Sequence, residues 1–224
     1  MILVTGNQHK LEEFERMIPW TDWESLGAWE LRERGQVGPD IIEDADSFAG
    51  NAILKARAGW ERTGVISFAD DSGLCVDALD GAPGIYSARY VLGSDRDRYM
   101  ALLDALKMIP DATRSASFHC ALVVCGLSAA QRDVIRGVDF DAATEEGSAV
   151  TWIDEYLVVH GVCPGEIRRE PHGDGGFGYD PIFNLLTGQS LASLSGTEKD
   201  RHSHRGRALR TLARVLSEKN IIFS

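Results

Sequence analysis

The sequence predicts one α/β domain built on a mixed, twisted β-sheet flanked by helices. Apolar residues at helical spacing alternate along the chain with short β-rich apolar runs, the pattern of helices packed on strands. Its 224 residues suit a single domain and can bury a substantial core. No repeat, low-complexity tract or convincing linker divides residues 1–224, so they are expected to form one unit.

Met1-Ile2-Leu3-Val4-Thr5 reads as an opening strand, broken by Gly6-Asn7. Leu11, Phe14, Met17 and Ile18 then follow helical spacing as far as Pro19. Strand, tight turn and helix together point backbone N–H groups and a helix dipole at an anion. Lys10 falls in the first helical turn, where a cation gains nothing from the dipole, so a nearby phosphate would explain it. After a tryptophan-rich segment (Trp20, Trp23, Trp29), Glu43-Asp44-Ala45-Asp46 leads into a second helix. Ser47 or Asp46 can cap it, and Phe48, Ala52, Ile53, Ala56 and Trp60 form its apolar stripe. Asn51 and Lys55, four apart, share a face beside that stripe.

A strand over Val65–Ala69 runs into Asp70-Asp71, and Ser72-Gly73 reads as a turn before Leu74-Cys75-Val76. Asp80 to Gly84 is loop chemistry. Tyr99, Leu102, Leu103 and Leu106 mark a third helix that ends before Pro110. Ser117–Cys125, Val134–Phe140 and Tyr156–Val162 read as strands, and Gly173–Gly178 as a glycine-dense loop. Ala208, Leu209, Leu212, Val215 and Leu216 define a last amphipathic helix, with Arg205, Arg207, Arg210 and Arg214 elsewhere on its surface.

With 44% hydrophobic and 25% charged residues, the composition is that of an ordinary soluble globular protein. No charged leader with a cleavage site and no bilayer-length apolar run is present, so the chain is expected in the cytoplasm, without a membrane partner. Of four cysteines, Cys75, Cys120 and Cys125 sit in apolar runs, and no C-x-x-C pair occurs; reduced, packed thiols are expected. A net charge of −11 argues against a broad nucleic-acid surface while allowing a small anionic ligand in a local basic cleft.

The acids carry the chemistry. Adjacent ionised carboxylates repel, so Asp70 and Asp71, emerging together from a rigid strand, call for solvent, a shared proton or a cation. Mg²⁺ takes hard oxygen ligands and commonly brings a phosphorylated substrate. The plainer reading is an ordinary turn; a phosphoaspartyl enzyme lacks support because its D-x-D arrangement is missing. Glu43-Asp44 is either a further metal ligand or a solvated acidic run before a helix. Thr5 to Lys10 is either a phosphate cradle or a simple strand-to-helix turn, and it is not a P-loop. Around Gly176-Phe177-Gly178-Tyr179-Asp180, the aromatics form either a platform for a planar base or part of the core. Lys199, His204 and Arg205 gather donors at the start of the last helix, while Arg207, Arg210 and Arg214 read as a solvated face. Spacing gives no role to His9, His119, His160, His172, His202 or Arg89.

In order along the chain, these segments resemble the inosine triphosphate pyrophosphatase family, the non-standard purine NTP pyrophosphatases or Ham1-like proteins. The resemblance runs through Thr5-Gly6-Asn7-Gln8-His9-Lys10, Ser47 to Ala56, Ala69-Asp70-Asp71-Ser72-Gly73-Leu74, Gly81 to Tyr90, Gly176 to Phe183, and Lys199 with Ser203-His204-Arg205. It implies a two-lobed α/β fold with a nucleotide cleft between the lobes, a homodimer, and Mg²⁺-dependent hydrolysis of ITP, dITP and XTP to monophosphate and pyrophosphate, cleansing the nucleotide pool. Carried over, Thr5, Gly6, Asn7, Gln8, His9 and Lys10 would hold the triphosphate. Glu43 and Asp71 would bind metal, and Asp71 would accept the proton. Ser72 would touch substrate, with Lys55 and Asp70 in support. Phe177, Gly178, Tyr179, Asp180, Lys199, His204 and Arg205 would hold the base and adjoining groups. The competing readings are a Maf-like pyrophosphatase acting on pyrimidine or modified nucleotides, whose motifs fit less well around Asp70 to Gly73, and a nucleotide-binding regulator without catalysis. The chain departs from the family pattern at Gly50, where an acid is common, and in a longer stretch from Leu127 to about Asp154.

Overall fold

The computed structural model describes residues 1–18, 22–109 and 113–217; Pro19, Trp20 and Pro110 lie outside them. Among the described residues seven strands form one mixed sheet. β1 (Ile2–Leu3) lies parallel between β2 (Glu24–Ser25) and β3 (Ser67–Val76). β3 pairs antiparallel with β4 (Ser115–Cys125), and β4 with β6 (Tyr156–Ile167). The far edge of β6 is shared in succession by β5 (Ser148–Ile153) and β7 (Phe183–Leu185), both antiparallel.

Two-residue alternation decides which core each strand residue joins. Phe68 of β3, with Leu122 and Val124 of β4, packs against Phe14 of α1 (Gln8–Met17) and Leu209 and Leu212 of α8 (His204–Ser217). On the opposite face, Ala69, Ala121 and Val123 lie under Ala52 and Ala56 of α3 (Phe48–Thr63). Further along the first face, Leu74, Val76 and Phe118 build a separate cluster with Leu102 and Leu106 of α4 (Asp95–Lys107) and with Phe183. Between the Phe68 and Leu74 clusters the same face of β3 carries Asp70 and Ser72. That polar interruption separates the two cores.

The helix starts follow from the caps. Asn7 Oδ1 accepts from the His9 and Lys10 amides at 2.9 and 3.2 Å, and Ser47 Oγ from the Gly50 amide at 3.1 Å. Gly64, at φ +69°, closes α3, its amide donating to Trp60 O at 2.7 Å.

Several expectations fail for identifiable reasons. Asp70-Asp71-Ser72-Gly73 is not a turn at a strand's end: β3 continues through it, fully paired with β4 from Ser67 to Val76. The two acids therefore do not emerge together but point to opposite faces. Val134–Phe140 is not a strand: α5 (Ala129–Arg136), with a Ser128–Gln131 capping box, and α6 (Phe140–Ala143), capped by Asp139, take it up. The long stretch from Leu127 to Asp154 thus adds these two helices and then β5. Lys199 is not on the last helix but on α7 (Gly196–His202), which Ser195 caps. Arg205 is 1% exposed rather than on the surface of α8. Arg210 and Arg214 keep much of their side chains in solvent as expected, and both pair with Glu145, which accepts from Arg210 at 2.7 Å and lies 3.5 Å from Arg214. Trp60 is half-exposed instead of joining the α3 stripe. A helix α2 (Leu26–Arg34), capped by Ser25, carries Trp29 of the tryptophan-rich segment. All four cysteines are free thiols, and Cys120, Cys125 and Cys163 are buried.

Candidate active site

β1 meets β3 only at Ser67 and Phe68, so among the described residues the β3 edge from Ala69 onward has no strand beside it. A cavity of about 310 Å³ opens along this edge, past the carboxyl end of β1. Because it straddles an edge, side chains from both faces of β3 reach it. This is also where ligands commonly bind in open α/β sheets.

One wall comes from the face of Asp70. That side chain, 1% exposed, accepts from Lys10 Nζ at 2.9 Å and from Arg205 Nε and Nη2 at 3.1 and 2.9 Å. Arg205 also donates to Glu13 and, at 2.8 Å, to Ser72 Oγ. Lys199 Nζ lies 2.8 Å from Glu13 and donates to Asp180 Oδ2 at 2.6 Å. Burial alone would raise the Asp70 pKa, but Arg205 and Lys10 outweigh it and hold the carboxyl well below its ordinary range. Asp70 Oδ1 has no hydrogen-bond partner among the described residues.

The other wall belongs to the face of Asp71. Lys55 Nζ donates to Glu43 Oε2 at 2.7 Å and to Asp71 Oδ1 at 3.4 Å, while Asn51 Nδ2 donates to Asp71 Oδ2 at 3.2 Å. Asn51 Oδ1 in turn accepts from the Ala45 amide at 3.0 Å, tying the Glu43 loop to α3. Burial raises the Asp71 pKa, with Lys55 acting against it. Burial also works against the Lys55 ammonium, yet Asp71, Asp70 and Glu43 outweigh it and raise its pKa. Two carboxylates thus already converge on one cation. Their hard oxygens fit a divalent ion such as Mg²⁺, which binds through one or two carboxylates and completes its shell with water and phosphate oxygens. Among the described residues no group of three or more His, Cys, Asp and Glu side chains could hold a metal ion by itself.

An aromatic platform closes the third side. The Phe177 ring lines the cavity, with Lys199 Nζ 4.4 Å from its centroid. Two carboxylates pin its loop: Asp180 Oδ2 accepts from the Phe177 amide at 2.9 Å, and Asp95 Oδ2 from the Gly178 amide at 2.6 Å. Tyr179 Oη donates to Ser87 O at 2.9 Å. His204 stacks on Phe118 at 5.0 Å between centroids, and its Nδ1 has no partner among the described residues. Burial, reinforced by Arg205, pushes its pKa well below the ordinary value, so the imidazole is neutral at pH 7.

Of the residues singled out in the sequence, Thr5, Gly6, Asn7, Lys10, Glu43, Lys55, Asp71, Ser72, Phe177, Gly178, Tyr179, Asp180, Lys199, His204 and Arg205 line this cavity. Asp70 sits behind the wall, Gln8 is exposed outside it, and His9 is stacked on Phe177 with centroids 5.2 Å apart. The sequence reading missed Glu13, Asp95 and Arg98, placed Asn51 beside Lys55 without giving it a role, and set aside Arg89, which lines the cavity with Asp95 and Arg98. For Glu13 a signal existed: it lies three residues after Lys10, on the same side of α1. Asp95 looks like any acid in a first helical turn.

Known proteins resemble this chain over nearly its whole length. A model of the Ham1 family matches residues 1–215. A dITP/XTP pyrophosphatase of Coxiella burnetii is 36% identical over 225 residues, covering 99% of this chain and 98% of that protein. One of Shigella flexneri is 40% identical over 220 residues, covering 96% and 97%. Among solved structures, a HAM1 protein from Coxiella burnetii superposes with a TM-score of 0.75 at 35% identity, covering 97% of this chain and 98% of that one. The Staphylococcus aureus Ham1 protein gives 0.71 at 32%, covering 98% of both. With a cavity of this composition and relatives matched from end to end, the chain belongs to the Ham1 family.

Proposed function

We propose that this chain hydrolyses the non-standard purine nucleoside triphosphates ITP, dITP and XTP to the monophosphate and pyrophosphate, removing them from the nucleotide pool. The observation that carries this reading is the meeting of Glu43 and Asp71 around one cation, in a cavity that also holds Lys10 and the Phe177 platform. The relatives are named dITP/XTP pyrophosphatases, which supports the same substrate class. In this reading residues 1–224 act as one domain whose two lobes are the Phe68 and Leu74 cores, with the nucleotide between them.

Thr5 to Lys10 hold the triphosphate at the end of β1. Glu43 and Asp71 are the residues that would hold Mg²⁺, which would neutralise phosphate charge and lower the pKa of water bound to it. Water attacks the α-phosphorus: its oxygen bonds to phosphorus, the bond to the bridging oxygen breaks, and pyrophosphate departs with the electron pair. Asp71 takes the proton. Lys10 and Lys55 offset phosphate charge. Lys199, already paired with Glu13 and Asp180, contributes at the base instead. Phe177 offers the stacking surface, and the neutral His204 with Arg205 meets the 6-keto purine edge. Adenine presents an amino group there and leaves those donors unpaired, a strong ground for rejection.

The chain acts in this reading as a cytoplasmic homodimer, which light scattering on the purified protein tests. Among the described residues no helix is long and apolar enough to cross a membrane, and the net charge of −11 disfavours a nucleic-acid partner. The deciding assay offers ITP, XTP, GTP, ATP, UTP and CTP with Mg²⁺ and identifies the product. Pyrophosphate from ITP and XTP supports the reading. Preferential UTP or CTP cleavage, binding without turnover, or orthophosphate release overturns it.

A further inference from the structure

Lys55 occupies an unusual place for a side chain that is to meet a phosphate. It is 8% exposed, reaches from the middle of α3, and gives its ammonium to Glu43 and Asp71 at 2.7 and 3.4 Å. Those two carboxylates come from a loop and from β3, and the bonds to Lys55 hold them facing each other. The position between them suits a cation, and an ammonium fills it. A divalent ion held by the same two side chains would stand beside that ammonium with like charge in a partly desolvated site, where repulsion is strong. Lys55 and the metal therefore exclude one another from the gap.

We propose that Lys55 is a placeholder cation: it keeps Glu43 and Asp71 in register in the nucleotide-free protein and leaves them when a divalent ion arrives, turning to the substrate's phosphates. The proposal rests on the reading of Glu43 and Asp71 as the metal-holding pair. It makes Lys55 a competitor of the metal when nucleotide is absent and its ally when nucleotide is present. The triphosphate supplies the negative charge that draws the ammonium away, so nucleotide and metal favour each other's binding. Without Lys55, the two acids keep their full charge for the ion but lose the means of releasing it to a phosphate-bound state.

The test measures Mn²⁺ binding to nucleotide-free protein at pH 8 by electron paramagnetic resonance, for the unaltered chain, the apolar Lys55→Met and the polar, uncharged Lys55→Gln. Both variants are expected to bind Mn²⁺ more tightly, by about tenfold for loss of one neighbouring positive charge, and to gain more thermal stability from Mn²⁺ than the unaltered chain does. Turnover of ITP falls in both. Equal or weaker Mn²⁺ binding by the variants overturns the proposal. A measurement on the unaltered chain stands beside these: the Lys55 side-chain ¹⁵N resonance moves as Mg²⁺ is added, and Mg²⁺ binding with that resonance unmoved also overturns it. Tighter Mn²⁺ binding by the variants in a protein that releases no pyrophosphate from any purine triphosphate would sink the functional reading and leave the placeholder role standing.

Discussion

Two ionic clusters lie on opposite faces of β3, and they are balanced differently. On the face of Asp70, three carboxylates (Glu13, Asp70 and Asp180) meet three cations (Lys10, Lys199 and Arg205) in a chain of short contacts. On the face of Asp71, Glu43 and Asp71 share Lys55 alone, leaving one negative charge in excess. The first cluster is almost wholly buried, while Glu43 keeps a 32% exposed side chain open to solvent. A neutral, buried circuit is a fixed frame. An under-neutralised, half-open one is ready for an added cation, and β-strand alternation is what assigns Asp70 to one and Asp71 to the other.

Isosteric amides separate the two roles, with the largest effects expected of any change. Asp70→Asn leaves Lys10 and Arg205 buried beside an uncharged group, a loss of about 3–5 kcal/mol in unfolding free energy by urea titration. Asp71→Asn keeps stability within about 1 kcal/mol but lowers kcat by roughly 10²–10⁴ through loss of the proton acceptor. If the outcomes were exchanged, with Asp70→Asn stable and inactive and Asp71→Asn unfolded, the assignment of frame and site would be reversed.

The same contrast has a pH signature. The folded pKa of Asp70 is depressed, so its ion pairs stabilise the fold fully above the ordinary carboxylate range, and that contribution is lost as pH falls through the depressed value. Asp71 has a raised folded pKa, so the folded chain holds its proton more tightly than the unfolded chain. Its contribution to stability therefore declines as pH rises from the ordinary range through the raised value. Asp71→Asn should remove that decline and leave the acid limb due to Asp70. The stability comparison is made on metal-free protein, by urea titration across pH, for the unaltered chain and Asp71→Asn. A decline that persists in Asp71→Asn would show that another group is responsible for it.

Most of the cavity lining was legible because its residues sit where local rules apply. Thr5 to Lys10 follow a strand and open a capped helix, and Asn51 and Lys55 share a helix face. The alternation of Asp70 and Asp71 was not legible, because Ser72-Gly73 carries turn composition while its pairing with Cys120 and His119 of β4 is set 48 and 46 residues away in sequence. Gly73 is in the strand for want of room, since a Cβ there would run into the Gly84 carbonyl and the Ser87 hydroxyl. Arg205 likewise looked like one of four arginines on a helix. Its burial depends on Glu13 of α1 and on Asp70 and Ser72 of β3, and no periodicity within α8 reports on them. Val134–Phe140 misled for a different reason: a short apolar run has no decisive period, and the Ser128 and Asp139 caps settle it as helix.

Asp95 extends the frame to the platform, and a moderate effect is expected there. Its carboxylate accepts from the Gly178 amide and also pairs with Arg98, so Asp95→Ala frees the Phe177 loop from α4. Loss of one charge-assisted hydrogen bond predicts a KM for ITP higher by about tenfold with kcat little changed, the mark of weakened uniform binding. Asp95→Asn keeps an acceptor oxygen and should recover most of the loss. A fall in kcat with unchanged KM would place Asp95 among the groups acting on the phosphates instead of the base.

The smallest effect is expected at Gly50, and it reports on the other cluster. A Cβ on Gly50 would come within 2.7 Å of Ala45 Cβ and 3.0 Å of Ser47 Oγ, so a side chain here pushes on the loop that carries Glu43. The gain in helix propensity from Gly50→Ala, up to about 1 kcal/mol, is offset by this crowding, so unfolding free energy should change by less than about 1 kcal/mol. Ala45 is two residues from Glu43 and donates its amide to Asn51, so yielding at Ala45 moves Glu43 relative to Asp71. Mn²⁺ binding should then weaken by about two- to fivefold, since each 1.4 kcal/mol is tenfold and only a fraction of that is at stake, while the pH limb due to Asp70 stays in place. A full 1 kcal/mol of added stability with unchanged Mn²⁺ binding would mean that the loop yields without carrying Glu43 along, and the two acids would then owe their alignment to Lys55 rather than to the packing of Ala45 on α3.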